Sequence, residues 1–506
     1  MSEKRIANII NFIRGEDPRV EQNILYDTFV KQLELCKKYP MPYTFLMQYD
    51  AFVRPEYAKL LLDNTDENME VGVWIELARE QIEKVGLEWR GNPEWKWDWH
   101  ACPDLLVAYT KEERKLLIDE LMDRFYNIFG YYPSSVGSWM LDSYSVAYMS
   151  EKYNIDAFII CREQYGTDGY TLWGGCYNQP YFPSRKNMFM PAQTEKEQIH
   201  TPVFRLLGID HLHQYDSSNV MTMEPAWDLG QNPEFVDWYF HSNFEEEDMS
   251  FSYTQIGQEN PFTWERFGKG LEMQTEKLYN GFCENRWEVL TLRDTGILFS
   301  KSNKMTPASS ITALEDWKNE GCQTVWYNSK NYRMNFYNDK GNPAIRDIQL
   351  FDENYGDRYF DEKTSEQWAI YDALPLIDGF RWGSEVKKSY LYFTTPHSDI
   401  PLKGSITNSV KLSDTKLQVD FKTEIGKINC IIDEEKLSFK SDKPFEMFVS
   451  YSSLEDTEIE SIEKDTINYI HNDMKYSYSL NNAVFKKSDN GYRIVPQSGE
   501  FSICLR

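Results

Sequence analysis

Seven short runs of apolar, β-branched or aromatic residues recur through the first 300 positions, and segments of helical character lie between several of them. The runs cover 7–13, 42–48, 70–75, 136–141, 156–161, 202–208 and 251–256. Helical segments include 21–39 and 111–130, the second closing on Gly130 as helix C-termini often do. Strand–helix alternation builds βαβ units, hence a parallel sheet with right-handed crossovers. Seven such units predict an α/β fold whose sheet is a closed or nearly closed (β/α)7 barrel, TIM-like, over residues 1–300. An open doubly wound sheet is the alternative, but no GxGxxG or P-loop pattern opens a helix after the first strand.

The text changes near residue 382. All 15 Trp lie at or before Trp382. Beyond it, short alternating runs appear at 387–395, 416–424, 427–435, 445–453 and 499–506, separated by polar breaks. Period-2 alternation of this kind predicts an antiparallel β-sandwich over 382–506. Between barrel and sandwich, 301–381 reads as a mixed, β-rich connecting region with strands at 324–338 and 344–353. Three regions in 506 residues agree with a chain too long for one ordinary core.

Charge and cysteine usage remove several function classes. A net charge of −26 leaves no positive footprint for nucleic acid or an anionic membrane surface. No window approaches the ~18–20 apolar residues of a membrane span. The N-terminus carries neither the about 7–15 apolar residues of a signal peptide nor a small-residue cleavage site, so a cytoplasmic location is expected. The eight cysteines are scattered without a CxxC, as reduced structural cysteines are. Oligomeric state is not legible.

A parallel barrel gathers its chemistry at the C-terminal ends of its strands. Strand one is followed by Arg14 and Glu16, strand two by Asp50, strand three by Glu76 and strand four by Asp142. Strand five is followed by Glu163 and Asp168, strand six by Asp210, His211 and His213, and strand seven by Gln258, Glu259 and Asn260. A carboxylate follows every strand, and Trp74, Trp139, Trp173, Trp227 and Trp264 stand near them. Carboxylates among aromatic faces suit a carbohydrate, whose C–H faces stack on rings while its hydroxyls bond to acids and amides. The glycine- and aromatic-rich segment 163–175 reads as a substrate-binding loop or as a structural excursion. The cluster Asp210-His211-Leu212-His213, with Asp216 beyond, places two imidazoles on one face if it is a strand. It is read as loop histidines bonding hydroxyls or acids, with metal ligation as the alternative.

Two segments carry a resemblance. In 130–145, Gly137, Trp139 and Asp142 follow the G-x-W-x-x-E/D pattern that closes the fourth strand in glycoside hydrolase family 57. Residues 254–264 are similar to that family's seventh-strand motif, with Glu259, Asn260 and Trp264 aligned and Ile256 or Gly257 where the family has an aspartate. As a whole the chain resembles an uncharacterised bacterial branch of the family 38, family 57 and polysaccharide deacetylase superfamily. The resemblance implies a hydrolase of glycosidic bonds, with Asp142 as nucleophile of a retaining mechanism. Glu259 would be the proton donor, with Asp210 or Glu76 behind it. Asp50, Trp74, Trp139, Glu163, Asp168, Trp173, His211, His213 and Trp264 would bind the sugar. No cofactor or metal is expected, because the Asp-Asp and HxxxH patterns of the deacetylases and the His-x-Asp of family 38 are all missing, and only His100 follows strand three. A non-catalytic carbohydrate-binding barrel and a metal-dependent polysaccharide deacetylase are the alternative functions.

Overall fold

A computed structural model describes residues 4–161, 174–206, 208–213, 215–216, 219–246, 248–370, 372–379, 389–451, 459–471, 473–488 and 491–506. Its first half is built on seven parallel strands: β1 Lys4–Ile13, β2 Tyr43–Met47, β3 Met69–Trp74, β4 Ser135–Ser138, β5 Ala157–Cys161, β6 Val203–Leu206 and β7 Phe251–Ile256. They pair in the order β6-β5-β4-β3-β2-β1-β7, all ladders parallel. Among the described residues no ladder joins β6 to β7, so the barrel stays open along that seam. All seven expected strands are present. A three-residue strand, β8 Glu288–Leu290, adds to the N-terminal part of β1. It is too short to stand out in the sequence.

The strands are almost wholly buried, as parallel strands covered on both faces must be, and this is why they read as near-continuous apolar runs. Helix α1 spans Gln22–Lys38 and α2 spans Lys111–Phe129. Helix α2 opens on a capping box between Thr110 and Glu113 and ends on Gly130 at φ 78°, a left-handed cap that glycine adopts without strain. Helix α3, Ser143–Tyr153, follows β4; α4 is Pro233–Phe244 and α5 is Trp264–Cys283.

The second half is two antiparallel sheets. The first contains β9 Ser309–Ala313, β10 Gln323–Asn328, β11 Tyr332–Asn338 and β12 Pro343–Leu350, with later strands at Leu374–Asp378, Ser389–Thr394, Glu446–Tyr451, Ala483–Ser488 and Gly491–Pro496. The second sheet takes eight strands from Gly404–Ser413 to Glu500–Cys504. Phe336, Phe393, Phe421, Phe439, Phe445 and Phe501 contact one another ring to ring in the core of this half. The tryptophan boundary near 382 does not coincide with a change of sheet, since strands on either side of it pair in the first one.

One glycine sets how closely β7 approaches β1. Gly257 has φ 138°, and a Cβ there would lie 1.7 Å from the Ile10 carbonyl oxygen. Gly257→Ala therefore combines backbone strain of about 1–3 kcal/mol with a steric clash against immovable backbone. A fall in Tm of several degrees is expected in a thermal melt; an unchanged melt would show that β7 does not need this approach.

Candidate active site

The first residue beyond β1 is Arg14, and its backbone is fixed before its side chain does anything. Its N–H donates to Asn260 Oδ1 and its carbonyl accepts from Asn260 Nδ2, each at 2.9 Å, which ties the end of β1 to the end of β7. Asp50, just after β2, accepts the N–H groups of Gly15 and Glu16 at 2.8 Å. A Cβ on Gly15 would lie 2.5 Å from the Asp50 carbonyl oxygen, so the turn tolerates only glycine. Inside the barrel, Asn11 Oδ1 accepts from the N–H of Gln258 and from Gln32, fixing the chain next to Glu259.

The Arg14 guanidinium then bridges two carboxylates. Nε and Nη2 grip Glu76 at 2.7–3.1 Å, while Nη1 pairs with Glu259 and approaches Asp17 at 3.8 Å. All four side chains are buried. The guanidinium lies 4.1 Å over the Trp97 ring, and Trp97 in turn donates to Asp104. Glu76 also accepts the indole N–H groups of Trp74 at 2.6 Å and Trp139 at 2.8 Å. Trp74 stacks on Phe12, and Trp139 stands edge-on to both. Gly137 leaves the space for this wall, because a Cβ there would sit 2.4 Å from the Trp74 ring. Glu76 is thus a carboxylate saturated by a forked cation and two indoles.

Glu259 is held differently. Burial pushes its carboxyl up to about 8; Arg14 opposes this, while Glu76 and Glu224 add to it. Burial likewise pushes Asp50 up to about 7 against the Gly15 N–H and Arg14, and raises Asp104, with Glu76 adding to the effect. Toward the surface, Glu224 accepts from Gln258 at 3.0 Å and from the Trp227 indole at 2.9 Å. Trp227 is 46% exposed, and Arg266 lies 4.2 Å over its ring. On the other side Trp95 and Trp99 pack together, with Arg19 between Trp97 and Trp99 and paired to Asp17.

Of the expected site residues, Glu76 and Glu259 meet on Arg14, with Asp50, Trp74 and Trp139 around them. Asp142 does not join them. It caps α3, accepting from the Ser145 N–H at 2.9 Å and hydroxyl at 2.6 Å, and it pairs with Arg114 at 2.9 Å with no exposed surface. Arg114 spends its other donors on the carbonyls of Leu106, Tyr109, Tyr359 and Glu362. Asp210 accepts the N–H groups of Leu212 and His213 and the Trp317 indole, so 211–213 is a turn and not a strand. Its histidines consequently diverge: His211 bonds the Tyr177 hydroxyl and stacks on Tyr239, while His213 bonds Asp316. Trp264 opens α5 and packs on Phe267. Glu163, Asp168 and Trp173 lie outside the described residues. The role of Arg14, and the parts of Asp17, Trp97, Asp104 and Glu224, were not anticipated; the Trp-rich stretch 95–99 was the available signal.

The donor set does not fit a catalytic zinc. The cation between the carboxylates is a guanidinium, and among the described residues no imidazole is bonded to the cluster; His100 bonds Asp98 and stacks on Trp99.

Comparison with known proteins adds the fold. Residues 109–267 match a family model described as a domain of unknown function with a solved structure, DUF3863. No curated protein matches. Among solved structures, a candidate glycoside hydrolase/deacetylase from Parabacteroides distasonis superposes with a TM-score of 0.50 at 15% identity, covering 72% of this chain and 88% of that one. A candidate polysaccharide deacetylase from Mycobacterium smegmatis gives 0.38 at 10% identity, over 60% and 93%. The first likeness is one of fold. No helix among the described residues is long and apolar enough to cross a membrane.

Asp142→Ala removes a helix cap and leaves Arg114 buried without its counter-charge. Losses of about 1 kcal/mol for the cap and 3–5 kcal/mol for the broken pair are expected. The variant should melt many degrees below the parent; equal stability would contradict the structural role.

Proposed function

We propose that this chain is a hydrolase acting on a carbohydrate, with Glu259 as its general acid. The observation that carries the reading is a buried carboxyl that keeps its proton to about pH 8 beside a carboxylate locked by a cation, at the strand ends of a barrel. Glu259 donates its proton to the leaving atom as the bond to it breaks, and recovers one from the attacking water. Arg14 positions Glu259 and Glu76 relative to each other. Glu76, with its lone pairs taken, acts as a fixed charge. The exposed Trp227 ring, linked to Glu259 through Glu224 and Gln258, offers a face for a sugar.

Cleavage of an O-glycosidic bond is the finer reading, supported by the paired acids and the aromatic surroundings. The second reading is removal of an acetyl group, an activity named beside glycoside hydrolysis for the P. distasonis protein of similar fold; in it Glu259 protonates the leaving amine. Asp142 is left out of both. The stereochemical course, which rested on it, therefore carries no assignment.

The test is a panel of aryl glycosides and N-acetylated oligosaccharides, with released phenol and released acetate measured separately. Glu259→Gln should lower turnover 10²-fold or more on whichever class is cleaved. The parent's rate should be flat at neutral pH and fall as pH rises through about 8, because the proton that Glu259 must donate is lost there. Full activity in Glu259→Gln, or a rate that rises through pH 8, would remove Glu259 from the mechanism. Acetate without phenol would decide for the second reading.

A further inference from the structure

Away from this cluster, a cleft of about 880 Å3 opens between α4, the loop joining β9 to β10, and the start of strand Gly404–Ser413. Its lining includes Trp238, Asp316, Trp317, Glu320, Cys322 and Lys340. At this wall one ring nitrogen of His213, one carboxylate oxygen of Glu320 and the Cys322 sulfur all lie within 4.8 Å of one another.

Two local devices bring them together. The Asp210 carboxylate holds the turn that carries His213. Asp316 accepts from His213 Nε2 at 3.2 Å and also from the N–H groups of Lys318, Glu320 and Cys322. One carboxylate thus orients the ring and shapes the loop that bears the other two residues. Within that loop Asn319 and Gly321 take φ values of 55° and 82°, a tight reversal that brings Glu320 and Cys322 to the same point.

We propose that His213, Glu320 and Cys322 form a binding site for a divalent transition-metal ion of the zinc type, clasping the turn after β6 to the β9–β10 loop. A nitrogen, an oxygen and a sulfur donor together select such an ion. Magnesium and calcium take oxygen alone, and a thiolate is a poor ligand for either. Zinc bonds of about 2.0–2.3 Å hold tetrahedral ligand atoms roughly 3.3–3.8 Å apart, so side-chain rotation of about an ångström closes the site. Cys322 gives its thiol proton to solvent on binding, and the Tyr337 hydroxyl already donates to its sulfur at 3.5 Å. Lys340, which pairs with Glu320 at 2.9 Å, is exposed and swings away as the ion replaces it. Asp316 stands behind the imidazole as carboxylates stand behind many ligating histidines. The fourth position faces the cleft and takes water.

The full chain is stripped with chelator, then dialysed against Zn2+ or against Co2+ as its spectroscopic stand-in, and bound metal is measured per chain. One equivalent is expected, with a near-ultraviolet thiolate-to-cobalt charge-transfer band. Cys322→Ser should abolish the band, and Glu320→Gln, at an exposed position that leaves the fold intact, should weaken binding at least tenfold. Cys283→Ser, which alters an exposed thiol elsewhere, should leave both unchanged. Absence of stoichiometric binding by the folded parent would overturn the proposal. So would a band that persists in Cys322→Ser, or an affinity that Glu320→Gln does not change.

Discussion

The buried Arg14 guanidinium is the contact on which the barrel's mouth depends. Three strands end beside it: β1 supplies the arginine, β3 supplies Glu76 and β7 supplies Glu259. A buried ion pair is weak evidence for stability, because desolvating the charges offsets most of their attraction. What the pair does provide is position. The fork of the guanidinium admits few arrangements of two carboxylates, and the backbone beneath it is held by Asn260 and Asp50.

The electrostatics follow from a count. Arg14 and Arg19 face Glu76, Asp17 and Glu259, so one carboxyl is left without a counter-charge of its own. Asp17 is taken up by Arg19, and Glu76 by the fork of Arg14 and two indoles. Glu259 shares the remaining edge of Arg14, deep in the site, with Glu224 as a further like charge. Burial is what chiefly raises the Glu259 carboxyl; Arg14, already engaged by Glu76, opposes it, and the charges of Glu76 and Glu224 add to it. An acid prepared in this way needs no metal to be poised near neutral pH.

Much of this was legible in the sequence, and the reason is physical. Parallel strands are buried on both faces, so their apolar runs stand out, and all seven barrel strands were found at their places. The convergence of Glu76 and Glu259 was legible because residues just beyond a parallel strand stand at the rim formed by the strands' C-terminal ends. Arg14 occupies the same kind of position, yet its role depends on two acids from distant strands, and no local spacing encodes that. The three-residue β8 carries too little pattern to see. His211 and His213 would share a face only on a strand. Asp210 folds them into a turn, where one bonds the Tyr177 hydroxyl and the other Asp316, as loop histidines do. A short acid that caps its own following N–H groups competes with extended structure.

In the segment around Gly137, Trp139 and Asp142, each residue of the family-like pattern is engaged in a packing, capping or hydrogen-bonding contact. Gly137 is small because the Trp74 indole occupies the space of its Cβ. Trp139 is an indole because Glu76 needs a second N–H donor opposite the one from Trp74. Asp142 is acidic because α3 begins there and Arg114 arrives from α2. Each residue of the pattern has a packing or hydrogen-bonding reason, and two of the three shape the surroundings of Glu76. The spacing survives as a requirement of packing around a fixed carboxylate, while the acid held near pH 8 stands across the barrel mouth on the β7 side, where Gly257 lets that strand close on β1.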